Sequence, residues 1–274
     1  MKLEKLQALY RQLSQQVQEV PVNGSRPLII AAKIAGFIHP EAIIALQDKD
    51  YFKQDKLAVY LAEADMPKSM LNDILLDIAL SLRAAGLTRA WRDELLNVYA
   101  EGFAIGQIER AAMRPLGLLT QAIHLNGWTP DGDIYLQLRA RTKAFDPNMW
   151  DTLVGGLLNA EDSSAEGLNR ESEEEAGLSQ SDMKVRTPIR TILRLRRRLP
   201  EGYQLEDILV SDCIIPPSAE LKNQDGEVER IESFKPKEVV QMIEDGVVTI
   251  EAAIVLLDSL INPHINSLRQ AAHP

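Results

Sequence analysis

Glu171, Glu174 and Glu175 stand at i, i+3 and i+4, and Arg170 directly precedes the first of them. On a helix this spacing gathers the three carboxylates onto neighbouring positions of one face. Ionised and side by side, they repel one another and destabilise the helix that carries them. A divalent cation reverses that sign, because Mg²⁺ takes hard oxygen ligands and keeps waters or substrate phosphates in its shell. Arg170 lies four residues before Glu174 and can orient it through a charge-assisted hydrogen bond. Glu173 points away from the cluster and is expected in solvent. The competing reading is a solvated acidic helix face, the usual meaning of a charge run.

The surrounding segment Gly155–Leu178, GGLLNAEDSSAEGLNRESEEEAGL, carries the signals that would place these acids. Ser163 with Glu166 three residues on makes a capping box, and Asp162 favours the positive end of the helix dipole. Gly177 suits a left-handed C-terminal cap. The helix is therefore expected over about 164–176, with Ala165, Leu168, Ser172 and Ala176 as a small, apolar stripe for packing on a sheet. Trp150–Leu157 reads as a short strand ending in paired glycines, which allow a tight exit into the loop before the helix.

Further out, the opening residues form a polar, helix-periodic stretch with Leu3, Leu6, Leu9 and Leu13 along one stripe. Arg26–Phe37 is β-rich, Pro40–Gln47 has helix character, and Met66–Ala85 is the clearest helix, ended by Gly86. Trp91–Tyr99 reads as either a short helix or a strand. Pro115–Trp128 is expected as a strand, Pro130-Asp131-Gly132 as a turn and Asp133–Arg141 as the returning strand. Strands over Arg190–Arg196 and Glu206–Ile215 and helices over Lys237–Asp245 and Ile250–Ile261 close the chain. The change of character near Met113 divides it into residues 1–112 and 113–274.

With 274 residues, 45% of them hydrophobic and 26% charged, the chain has the composition of an ordinary globular protein of one or two domains. A net charge of -10 argues against nucleic acid as partner, so an anionic substrate would need a metal or a few placed bases. The single cysteine, Cys213, excludes an internal disulfide and a Cys-rich zinc site and fits the cytoplasm. No apolar run approaches the roughly 18–20 residues that cross a bilayer, and the first residues lack a signal peptide's apolar core.

The segment resembles the Nudix box: Gly156, five residues, Asp162, seven residues, Arg170-Glu171, Ser172, Glu173, Glu174-Glu175, Ala176, Gly177, Leu178. The spacing matches throughout, with Asp162 in place of Glu and Ser172 in place of an aliphatic residue. IERAA at 108–112, HLNGW at 124–128, WDTLVGG at 150–156 and NQDGEVERIESF at 223–234 extend the likeness. They resemble the Nudix proteins related to thiamine pyrophosphokinase, which carry an extra N-terminal domain. The resemblance implies an α/β/α sandwich with a mixed sheet, preceded by a smaller α/β N-terminal domain. It further implies an Mg²⁺-dependent diphosphohydrolase (Mn²⁺ as substitute), acting on thiamine diphosphate or its oxidised relatives, in a family whose members are often homodimers. Isoprenoid diphosphate isomerases share the WD…VGG context, but Cys213 lies well after the box and His124 has no clustered His partner.

Carried over residue by residue, Glu171, Glu174 and Glu175 would bind metal, with the Gly156 carbonyl joining them. Glu171 or Glu174 would also serve as base for the attacking water. Such enzymes often add an acid after the box; Glu227 is the candidate for ligand or base, with Glu229 next, in a hairpin turned at Asp225-Gly226. Lys143 could touch phosphate, and Trp150 could stack on a substrate ring or sit in the core. Arg194, with Arg196, Arg197 and Arg198, could steer an anion or simply be solvated. His124 is read as a hydrogen-bonded, non-catalytic residue. Three functions stay open: a thiamine-type diphosphate hydrolase, a hydrolase of nucleoside diphosphate derivatives, and a non-catalytic Nudix ligand-binding module.

Overall fold

The computed structural model describes residues 2–143, 145–224, 226–262 and 267–268, so Asp225 of the expected turn lies outside the described residues. The first α/β unit opens with the hairpin of β1 (Arg26–Ile30) and β2 (Lys33–Ile38), followed by α2 (Pro40–Leu46), which comes after the opening helix α1 (Leu3–Gln16). Two short strands, β3 (Phe52–Gln54) and β4 (Val59–Leu61), complete a sheet in the order β2-β1-β4-β3. Next, α3 (Lys68–Ala84) buries Leu71, Leu75, Ile78 and Leu82, the helical spacing read from the sequence. The ambiguous stretch resolves as a strand: β5 (Leu95–Ala100) pairs antiparallel with β6 (Phe103–Glu109). Leu28, Ile38, Val59, Leu75, Leu96, Ile108 and Leu116 belong to one core.

The junction differs from expectation. Pro115 and Leu116 belong to the helical turn α4 (Met113–Leu116), and the strand β7 starts only at Leu119, running to Trp128. Proline has no N–H to give a sheet ladder, and Gly117, at φ 57, ends the turn in the left-handed region. Gly117 also lies against the other unit, where an added Cβ would overlap the Phe37 carbonyl.

The larger sheet runs β11 (Arg190–Leu199), β12 (Gly202–Ile214), β7, β8 (Ile134–Arg139), β13 (Val228–Phe234), with β10 (Val154–Leu157) on β7 and β9 (Trp150–Thr152) on β8. β7 and β12 are parallel and the remaining pairs antiparallel, so the sheet is mixed. The single strand expected over Trp150–Leu157 is thus two, since the chain changes partner from β8 to β7 at the buried Leu153. α5 (Ser164–Ala176) packs Leu168 and Ala176 on Ile123, Leu125 and Val154. The neighbouring Ala122, with Ile208 and Val210, meets Ile254 and Val255 of α7 (Ile250–Ile261) on the opposite face. Between β13 and α7 lies α6 (Pro236–Glu244). α1 precedes the first unit in the chain yet packs through Leu6, Leu9 and Leu13 beside α7. A mixed sheet with helices on both faces, accompanied by a smaller α/β unit, is the architecture the resemblance implied. Among the described residues no helix is long and apolar enough to cross a membrane.

Candidate active site

α5 forms within the expected bounds and for the expected reasons. Ser163 Oγ accepts from Glu166 N–H at 3.3 Å, Glu166 Oε2 accepts from Ser163 N–H at 2.9 Å, and Gly177 caps the far end at φ 68. The buried face corrects one residue of the predicted stripe. Ala165 is exposed, and Gly167 makes the first close contact, its missing Cβ leaving room for the Leu158 side chain. Ser172 is fully buried and its Oγ has no hydrogen-bond partner. Replacing it with Ala removes a desolvated hydroxyl and improves helix propensity, and is expected to raise stability by about 1 kcal/mol with turnover unchanged. Urea unfolding of Ser172→Ala checks this; a loss of stability would mean that the hydroxyl is satisfied.

The three box glutamates sit in different surroundings. Glu175 is buried; its Oε2 accepts from Gly155 N–H at 2.8 Å and Gln137 Nε2 at 2.9 Å, while Lys143 Nζ lies 3.9 Å from Oε1. Burial, with Glu171 nearby, pushes its carboxyl up to about 8 against the pull of Lys143 and the Gly155 amide. Burial likewise raises Glu171 to about 6, opposed by Arg170, which donates to Glu171 Oε1 at 2.8 Å. The same guanidinium reaches Glu174 at 3.3 Å and Asp162 at 3.0 Å, so Arg170 orients two box acids and is itself anchored by Asp162. A Cβ at Gly156 would overlap the Glu171 carboxylate where it now lies. Glu173 is exposed, as expected.

These groups open onto a cavity of about 290 Å³ whose walls come from both units. Lys143 and Glu227 are in it as an ion pair, with Arg92 donating to Glu227 at 3.0 Å. Burial raises the Glu227 carboxyl, but Lys143 and Arg92 outweigh it and hold the group at about 2. Glu229, in the irregularity of β13, is exposed and lies 3.7 Å from Arg141. His124 also lines the cavity; its Nδ1 is 2.9 Å from Thr152 Oγ1, and burial lowers its pKa.

Two expected substrate contacts are not in this cavity. Trp150 belongs to the core beneath α6 and α7, its ring edge-on to Phe234 at 4.9 Å. Arg194 projects from β11 into a two-pronged ion pair with Asp207 at 2.6 and 2.7 Å. Conversely, the sequence reading missed Arg92, Arg110, Arg114, Gln204, Glu206 and Glu251, which line the cavity. Of these only Arg110 lies within a motif that carries the family likeness, IERAA at 108–112.

The donor set suits a hard cation. Acids of the lining (Glu94, Asp146, Asp151, Glu171, Glu174, Glu175, Glu206, Glu227, Glu251) outnumber its bases (Arg92, Arg110, Arg114, Arg139, Lys143, Arg170), so a diphosphate entering alone meets net repulsion. Among the described residues no three metal-type side chains converge on one point. Arg170 holds Glu171 and Glu174 while Gly155 and Gln137 hold Glu175, and bare carboxylates repel. The oxygen-only donors and the raised pKa values of Glu171 and Glu175 fit Mg²⁺ or Mn²⁺. The sole cysteine is elsewhere: Cys213 is buried in β12 and its thiol is pushed up to about 12, chiefly by burial, so it is no nucleophile at neutral pH.

Residues 123–253 match the family described as the NUDIX domain, and this part of the chain is a Nudix domain. Over 228 residues the chain is 28% identical to Nudix hydrolase 24, chloroplastic, of Arabidopsis thaliana, covering 79% of this chain and 61% of that protein. It is 26% identical over 194 residues to an uncharacterized protein of Saccharomyces cerevisiae, covering 63% of this chain and 55% of that one. The chain thus spans less than two thirds of the length of these curated relatives. Among solved structures, a Deinococcus radiodurans protein aligns with 66% of this chain and 98% of its own at a TM-score of 0.43 and 17% identity.

Proposed function

We propose that the chain hydrolyses a diphosphate linkage in a small molecule, with Mg²⁺ or Mn²⁺ held by Glu171, Glu174, Glu175 and the Gly156 carbonyl. The observation that carries this reading is the set of box carboxylates converging with Lys143 on one two-sided cavity. A cation bound there offsets the diphosphate charge and makes phosphorus more electrophilic. Glu175, fixed through Oε2, keeps Oε1 for the cation. Glu174 is the least buried of the three, its side chain 46% exposed, and takes the proton of the attacking water. Glu227, ionised but held too low to accept a proton well, aligns Lys143 toward phosphate rather than acting as base. The N-terminal unit, residues 1–112, closes one side of the cavity.

The subfamily likeness favours thiamine diphosphate or its oxidised relatives, cleaved to the monophosphate in the cytoplasm by a homodimer, with no nucleic-acid partner for so acidic a chain. Phosphorus NMR with Mg²⁺ against thiamine diphosphate, oxidised thiamine diphosphates, ADP-ribose, NADH and a nucleotide sugar tests it. Monophosphate plus phosphate from the thiamine compounds is the expected result. Cleavage of the nucleotides alone replaces the substrate with a nucleoside diphosphate derivative, and no cleavage anywhere favours a binding module.

A further inference from the structure

Arg92, Arg110 and Arg114 line the same cavity as the box glutamates, Arg110 and Arg114 on the residues just before β7 and Arg92 ahead of β5. We propose that Arg110 and Arg114, with Arg92, grip the phosphate end of the substrate in the cavity they share with the glutamates; this rests on the diphosphate reading above. Their backbone is firmly set. Glu109, only 3% exposed, accepts from the N–H groups of Arg92 and Glu94 at 3.1 Å each and of Ala111 at 3.4 Å, and Arg110 N–H donates to Glu94 O at 2.8 Å. Close approach of Gly202 to the Arg114 carbonyl fixes the far end of the segment.

The guanidinium groups keep donors in hand. Each gives one terminal nitrogen to a carboxylate: Arg92 to Glu227, Arg110 to Glu94 at 2.8 Å, Arg114 to Glu201. A guanidinium carries five N–H donors in a planar fork, the geometry that matches two phosphate oxygens at once. Arg114 is further steadied over the Phe145 ring at 4.6 Å. The same three arginines continue into an adjoining cavity of about 90 Å³, joined there by Arg89. In a chain of net charge -10, these arginines line the same cavity as the acids read as cation ligands. A diphosphate held there meets positive charge from the bound cation and from the arginines.

The test is calorimetric binding of non-hydrolysable imidodiphosphate with Mg²⁺ to the full chain and to Arg110→Ala, Arg114→Ala and Arg110→Lys, with thermal melts to establish folding. Loss of affinity by roughly 10- to 100-fold in each Ala variant, with Arg110→Lys between, is expected, since Lys keeps the charge but not the fork. Wild-type affinity in the folded Ala variants, or no binding by the wild type, overturns the proposal. Arg110→Ala carries the test should Arg114→Ala fail to fold. The two readings separate cleanly. Binding that depends on the arginines without cleavage of any substrate removes the hydrolase and leaves the arginine grip. Cleavage at unchanged KM in the arginine variants removes the grip and leaves the hydrolase.

Discussion

Glu175→Gln is expected to lower turnover roughly 1,000-fold while making the metal-free protein more stable at pH 8. The two effects have one cause. Burial raises the Glu175 carboxyl from 4.5 to about 8, so between those values the native state holds a proton that the unfolded chain has released. Stability then falls as pH rises through this window, by about 1.4 kcal/mol per unit at most. Below pH 4.5 both states are protonated and the slope vanishes. Gln cannot ionise, so the variant escapes the loss; a smaller slope remains from Glu171, whose window closes near 6. Turnover falls because the amide offers no charge to a cation. Melting curves in chelator from pH 5 to 9, repeated with Mg²⁺, read both effects. The wild type should melt lower as pH rises, and Mg²⁺ should raise its melting temperature more at pH 8 than at pH 6, since ligation needs the ionised carboxylate. Near-normal turnover in Glu175→Gln would sink the metal assignment.

That burial was not legible in the sequence, although the helix was. A cap, a capping box, an Arg in register and a terminal glycine are local signals, and α5 obeys them residue for residue. α7, carried by a local apolar period after Thr249, also has the bounds read for it. What failed depended on distant partners. Whether Trp150 stacks on a ligand or on Phe234 is decided 84 positions along the chain, and Arg194 is claimed by Asp207 across a strand pair. The arginine cluster is invisible for the same reason: Arg92 is separated from Arg110 and Arg114 by the β5–β6 hairpin, and only packing brings all three to one cavity. Glu227 was legible as an acid following the box, but its contacts with Lys143 and Arg92 were not. A lone acid beside a turn reads as a ligand or base, and nothing local shows that Lys143 and Arg92 lie on it.

Gly156→Ala and Gly155→Ala form the second contrast, since the two glycines look equivalent in the sequence and are not. Neither adopts a left-handed φ, so alanine is compatible with both backbones. At Gly155 the new methyl lies 3.1 Å from His124 Nδ1, which requires a shift of a few tenths of an ångström, and the N–H to Glu175 survives. Turnover should change only a few-fold, on the order of 1 kcal/mol. At Gly156 the methyl occupies the space of the Glu171 carboxylate. That carboxylate is the end of a flexible side chain, so it swings aside at little cost to folding, but it leaves its place on Arg170 and against Gly156. A displacement of about 1 Å at a reacting centre costs roughly 100-fold in rate, and kcat/KM of Gly156→Ala should fall at least that far with the melting temperature nearly kept. If Gly156→Ala turns over like the wild type, Glu171 does not work from where the structure holds it. A fall in Gly155→Ala to match would place the sensitivity in the loop rather than in the carboxylate.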